Sequence, residues 1–169
     1  MPNSGTRRQW VLAVLDRHEA ALVRYAVRLL GDGDSAREVV QHAFLQLCER
    51  TPEELIGREA PWLFRVCRNK AVDLIRLRQR HRGDPEADLA TLVGREPDPA
   101  EQAERQDLCG ELTRRVAQLP ASQREAIDLW CEGFSYRQIS EIAGQSEGNV
   151  RVLVHRAIKQ LRQVMKVTV

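Results

Sequence analysis

Aromatic residues are scarce in this 169-residue chain, where Phe, Trp and Tyr together make up 5%. Strand signals are scarce too, and helical periodicity runs almost throughout, which argues against a sandwich or barrel. The four cysteines, Cys48, Cys67, Cys109 and Cys131, form no C-x-x-C pair and have no histidine cluster beside them. That spacing excludes a zinc knuckle and a disulfide framework, and predicts buried, reduced thiols in a cytoplasmic protein. His18, His42, His81 and His155 are too scattered to hold a metal. No phosphate loop, paired-acid site or nucleophile motif is present, so neither an enzyme nor a cofactor is expected. No signal peptide and no apolar run long enough to span a bilayer is found, so a soluble protein without membrane insertion is expected. There is no internal repeat and no low-complexity tract.

What the chain does have is a 43% hydrophobic share, enough for a packed core, and an uneven charge distribution. A net charge of +2 conceals three blocks. Residues 65–82 hold seven Arg and Lys against Asp73 alone, and residues 84–107 hold eight acids against Arg95 and Arg105. Residues 147–166 hold five cations against Glu147. Two basic segments separated by an acidic one suggest two nucleic-acid surfaces with a linker between them.

The periodicity predicts one or two helices over residues 7–30, with Trp10, Val14, Leu22, Tyr25, Ala26 and Leu29 inward. Gly31-Asp-Gly-Asp is a break. Asp34 or Ser35 is expected to cap a helix to about Arg50, with Val39, Val40, Ala43, Phe44, Leu47 and Cys48 inward. Thr51-Pro52 should end it, and residues 53–60 read as a loop or short turn. Pro61 suits the first turn of a helix over about 61–80. One side of that helix carries Leu63, Phe64, Cys67, Ala71, Leu74 and Ile75. The other carries Arg65, Arg68, Asn69, Asp73, Arg76 and Arg80, with Trp62 at the margin. Pro85, Gly94, Pro97 and Pro99 among acids mark the linker. Helical spacing returns from about Ala100 with Leu108, Leu112, Val116 and Leu119. Pro120 breaks it, and Ser122 with Glu125 then forms a capping-box pattern ahead of Ile127, Leu129 and Trp130.

The last segment is the most informative. Ser135 and Gln138 make a capping box, Gly144 can supply a tight interhelical turn, and Ser146 can cap a second helix. That helix places Val150, Leu153, Val154, Ala157, Ile158 and Leu161 on one stripe, and Arg151, Val152, His155, Arg156 and Lys159 off it. This is a helix-turn-helix pattern and predicts a helix in a DNA groove. Arg151 and Arg156 suit guanine or phosphate, and Val152 suits a thymine methyl.

At this point the chain resembles the extracytoplasmic-function (ECF) sigma factors of bacterial RNA polymerase, over nearly its whole length. The residues that carry the likeness are Arg24-Tyr-Ala-Val-Arg-Leu-Leu-Gly-Asp, Asp34-Ser-Ala-Arg-Glu-Val-Val-Gln-His-Ala-Phe-Leu and Trp62-Leu-Phe-Arg-Val-Cys-Arg-Asn-Lys-Ala-Val-Asp-Leu-Ile-Arg. Further on they are Leu119-Pro-Ala-Ser-Gln-Arg-Glu-Ala and Gly133-Phe-Ser-Tyr-Arg-Gln-Ile-Ser-Glu-Ile. The resemblance implies an all-α protein of two small helical domains, a sigma region 2 domain at 1–82 and a sigma region 4 domain at 106–169, joined by an acidic flexible linker at 83–105. It implies core RNA polymerase as a partner, through the β′ clamp helices and the β flap, and promoter DNA as the other. It also allows an anti-sigma factor.

On this reading Glu38 and Gln41 meet the polymerase. Asn69 forms the pocket for an unstacked minus-ten base, Arg65, Arg68, Arg76 and Arg80 follow phosphates, and Trp62 stacks near the melted junction. Ser146, Asn149, Arg151, Val152, His155, Arg156 and Lys159 read the minus-thirty-five element. The chain departs from the family at His42, where an acid is common, and at Val152 and Leu153, where polar or basic residues are common. The loop at 53–60 is short for the base pocket. The alternative is a stand-alone helix-turn-helix regulator, which would need a sensor or dimerisation domain in place of residues 1–82.

Overall fold

The computed structural model describes residues 4–83 and 108–165, with side chains from 5 to 83 and from 110 to 163. Among the described residues there are eight helices and no strand: α1 (Ser4–Leu30), α2 (Gly33–Cys48), α3 (Pro52–Leu55), α4 (Glu59–Arg82), α5 (Leu108–Ala117), α6 (Ala121–Cys131), α7 (Tyr136–Ala143) and α8 (Glu147–Met165). The fold is all-α, as the periodicity predicts. The linker expected at 83–105 lies outside the described residues, apart from Gly83, which ends α4.

In the first half, α1, α2 and α4 pack mutually around Leu22, Tyr25, Val39, Ala43, Leu47, Leu63, Phe64, Cys67 and Ala71, all buried. α1 is one continuous helix, and the expected inward residues Val14, Leu22, Tyr25, Ala26 and Leu29 are buried. α2 starts earlier than the sequence suggests. Its cap is Asp32, whose carboxylate accepts from the Ser35 N–H at 2.7 Å, rather than Asp34 or Ser35. The same carboxylate takes the Arg78 guanidinium at 3.2 Å, which ties α2 to α4. That backbone bond from Ser35, reinforced by Arg78, holds the Asp32 carboxyl below the usual range. Residues 52–55 form a short helix at the start of the stretch expected as a loop or short turn, because Pro52 presets its first turn and the Glu54 carboxylate accepts from the Thr51 N–H.

In the second half α8 packs on α5, α6 and α7. Val150, Leu153, Val154 and Ala157 are buried there against Leu129, Ile139 and Ile142. The predicted box at Ser122 and Glu125 does not form. α6 opens two residues earlier, with Pro120 in the cap position and its carbonyl accepting from the Arg124 N–H at 2.9 Å. Glu125 is therefore past the first turn and turned inward. Leu112 and Trp130, both part of the apolar pattern in the sequence, are exposed. Cys67 is buried, and desolvation pushes its thiol up to about 12, but Cys48 and Cys131 are exposed, so burial of the thiols holds for one of these three.

The two halves also pack on each other. α4 lies against α7, and Phe64 of α4 meets Phe134 edge to face at 4.9 Å while also touching Tyr25 at 5.2 Å. Such aromatic pairs add about 0.5–1.5 kcal/mol beyond the area they bury.

Candidate nucleic-acid interface

α4 offers the first surface. Its apolar side is held down by Leu63, Phe64, Cys67, Ala71 and Ile75, which leaves Arg65, Asn69, Asp73, Arg76 and Arg80 exposed on the opposite face. At 1.5 Å per residue this row runs for about 22 Å, long enough to follow several nucleotides. The helix ends on Gly83 with φ 76°, whose N–H reaches the carbonyls of Arg80 and Gln79. Arg80, His81 and Arg82 in the last turn complement the helix dipole. Trp62 is half-buried against the core, with the Arg50 guanidinium 5.7 Å above its ring.

Arg68 does not join the exposed row. Its side chain is 17% exposed, and it donates to both oxygens of Glu125, from Nε at 2.6 Å and from Nη2 at 3.2 Å. Burial alone would weaken the Arg68 charge, but the Glu125 carboxylate raises its pKa instead. Tyr25 donates its hydroxyl to the same carboxylate at 2.7 Å, and burial followed by Glu125 pushes the phenol well above its usual range.

The second surface is the α7–α8 unit. The Ser135 hydroxyl accepts from the Gln138 N–H, and the Gln138 amide oxygen accepts from the Ser135 N–H, which closes the predicted box. Gly144 turns the chain at φ 67°, in the left-handed region that other residues adopt at a cost. The Ser146 hydroxyl then accepts from the Asn149 N–H at 3.1 Å and opens α8 as predicted. Asn149 also donates its side-chain amide to Gln145. Arg151, Val152, His155, Arg156 and Lys159 are all exposed along one side of α8. Arg151 is steered by Glu147 at 3.5 Å and lies 5.4 Å over the Tyr136 ring. Leu153, by contrast, is buried, so at this departure from the family pattern the side chain belongs to the core. The sequence gives no local signal for Tyr136, because its partner sits in the next helix.

α2 offers a third face, on which Glu38 and Gln41 are exposed side by side. Leu45, one turn further along, is 61% exposed and continues the same stripe. In the sequence Leu45 falls on the polar side of the wheel. Among the described residues no group of His, Cys, Asp and Glu could hold a metal ion, and no helix is long and apolar enough to cross a membrane.

Comparison with known proteins agrees with this geometry. The family model "Sigma-70 region 2" matches residues 14–81, and "Sigma-70, region 4" matches residues 109–161. The chain is 34% identical over 166 residues to the ECF RNA polymerase sigma factor SigL of Mycobacterium tuberculosis, covering 91% of this chain and 88% of that one. It is 32% identical to the RNA polymerase sigma factor CarQ of Myxococcus xanthus, covering 88% and 85% respectively. A solved structure of the sigma factor RpoE in complex with the anti-sigma factor NepR from Bartonella quintana superposes with a TM-score of 0.67 at 30% identity, covering 95% of this chain and 96% of that one. With both region models in order along one chain and relatives matched over most of both chains, this protein belongs to the ECF family of RNA polymerase sigma factors, and is an alternative sigma factor that binds core polymerase and directs promoter-specific transcription.

Proposed function

We propose a division of this work among the three surfaces. Residues 1–82 act as the region 2 domain, 83–105 as the linker and 106–169 as the region 4 domain. On α4, Arg65, Arg76 and Arg80 follow the backbone of the melted minus-ten strand, Asn69 holds an unstacked base and Trp62 stacks at the junction. Arg68 joins them once it is free of Glu125. On α8, Arg151 and Arg156 make base or phosphate contacts in the major groove of the minus-thirty-five duplex. Val152 offers an apolar contact there, and His155 and Lys159 meet the groove edge. Ser146 and Asn149 organise the start of that helix. Glu38 and Gln41 bind the β′ clamp helices, and the region 4 domain docks on the β flap. An anti-sigma factor is a further partner, a proposal supported by the anti-sigma complex of the Bartonella relative. The protein acts in the cytoplasm as an initiation factor, with no catalytic residue or cofactor of its own.

The observation that carries this reading is the exposed row Arg65, Asn69, Arg76 and Arg80 on α4, in one chain with a helix-turn-helix whose caps, turn and basic face are all present. It is tested by Arg151→Ala in reconstituted holoenzyme. Transcription from a cognate promoter should fall while binding to core polymerase is unchanged. Loss of polymerase binding would contradict the assignment of surfaces.

A further inference from the structure

The contact between the halves has a pattern of its own. On α1, Arg24, Tyr25 and Arg28 point toward α6, and Glu125 and Asp128 on α6 and Glu132 just after it answer them. Arg28 pairs with Asp128 at 3.6 Å and Arg24 with Glu132 at 3.7 Å. Arg58, just before α4, pairs with Glu141 of α7 at 3.3 Å. At the centre Glu125 is 7% exposed and takes both Arg68 and Tyr25. Every acid in this set comes from the second half and every cation from the first. The outer pairs are partly solvated and worth little singly. The central one is buried, forked and hydrogen-bonded through both carboxylate oxygens, the arrangement in which removing one partner is most damaging.

We propose that the free chain holds itself shut through Glu125, whose carboxylate occupies Arg68 and Tyr25, and that this latch must open before α4 engages a nucleic-acid strand. A carboxylate and a phosphate offer the same pair of acceptors to a guanidinium, so Glu125 takes the place of a backbone phosphate at Arg68. The charge pattern around it makes the closed contact specific in register as well as favourable. The functional half of the proposal rests on the surfaces assigned above. Elements centred about 25 base pairs apart lie about 85 Å from each other at 3.4 Å per step. The longest helix here, α1, spans only about 40 Å, and direct contact between the halves cannot bridge that separation. The 24 residues from 84 to 107 could reach about 80 Å when fully extended, so the chain has the length to open.

The test uses the full chain in small-angle X-ray scattering, which needs no polymerase. The wild type should have a radius of gyration near the value of about 15 Å given by the size law for compact chains of this length. Glu125→Arg should raise it beyond about 20 Å, the value for two separate halves on a flexible tether. The swap Arg68→Glu with Glu125→Arg should restore compactness, and circular dichroism should show unchanged helix content in all three. In parallel, the amount of protein needed for half-maximal binding to core polymerase should fall on the order of tenfold in Glu125→Arg and return in the swap. An extended wild type, or a Glu125→Arg chain that is folded and still compact, overturns the latch. If Glu125→Arg loses helix content, Glu125→Gln replaces it, and a compact, fully helical Glu125→Gln chain with unchanged polymerase affinity overturns the latch as well. If scattering behaves as expected and no variant binds polymerase, the failure lies in the functional assignment.

Discussion

Leu153→Ala separates a packing role from a reading role at a position where the family pattern would put a polar contact. Leu153 is buried on α8, which packs on α5, α6 and α7. Truncating a buried leucine costs about 2–5 kcal/mol, depending on how far the cavity collapses. Residues 108–165 form a small unit, and at about 0.05–0.15 kcal/mol per residue such a unit has roughly 3–9 kcal/mol to lose. The substitution should therefore bring the second half close to unfolding at physiological temperature while α1, α2 and α4 stay folded. Urea titration followed by Trp130 fluorescence reports the second half, because Trp10 and Trp62 belong to the first and can be changed to Phe. We expect the Trp130 transition to move to markedly lower urea, minus-thirty-five binding to be lost, and core polymerase binding through α2 to persist. A transition shifted by less than the equivalent of about 1 kcal/mol, together with lost DNA binding, would mean that Leu153 faces the groove and that the packing described for α8 is wrong.

Three further outcomes follow from the same structure. Gly144→Ala forces a side chain into φ 67° and should destabilise the α7–α8 turn by about 1–2 kcal/mol; an unchanged melting temperature would contradict it. Tyr136→Ala removes the ring beneath Arg151 and should weaken duplex binding by roughly 2- to 5-fold, taking a cation–π contact as about 0.5–1 kcal/mol, with core polymerase binding unaffected; equal loss of both would show a folding defect instead. Asp128 gives a pH signature. Burial, only partly offset by Arg28, raises its carboxyl from 3.8 to about 6. The folded state therefore keeps a proton that the unfolded state has released, so this contribution is fully present below about pH 4 and is lost as pH rises through 6. Thermal melts between pH 4.5 and 7.5 should show that decline in the wild type and a flatter profile in Asp128→Asn; identical profiles would refute it.

What could be read from the sequence was what is encoded locally. Ser135 with Gln138, Gly144 and Ser146 were legible because each acts on atoms within a few residues, and the α8 stripe because a helix repeats every 3.6 residues. The same logic misplaced the start of α6. Ser122 and Glu125 have capping-box spacing, but Pro120 opens the helix and Glu125 serves a partner a hundred positions away. A helical wheel likewise sorts Arg68 with Arg65 and Arg76, since it records only the side of α4 and nothing of what docks there. Charge complementarity between Arg24, Arg28 and the acids in and just after α6 is visible in the sequence afterwards, but no local period pairs one helix with the other. Leu45 carries little signal in the sequence, because a single apolar residue on a polar face is ordinary.

The central claim, that this chain directs polymerase to promoters through two DNA surfaces, is tested most directly by run-off transcription with purified core RNA polymerase, with and without the protein, on a pool of genomic fragments. The account predicts new discrete transcripts whose start sites share one upstream pair of elements. No new transcripts and no binding to core polymerase would contradict it.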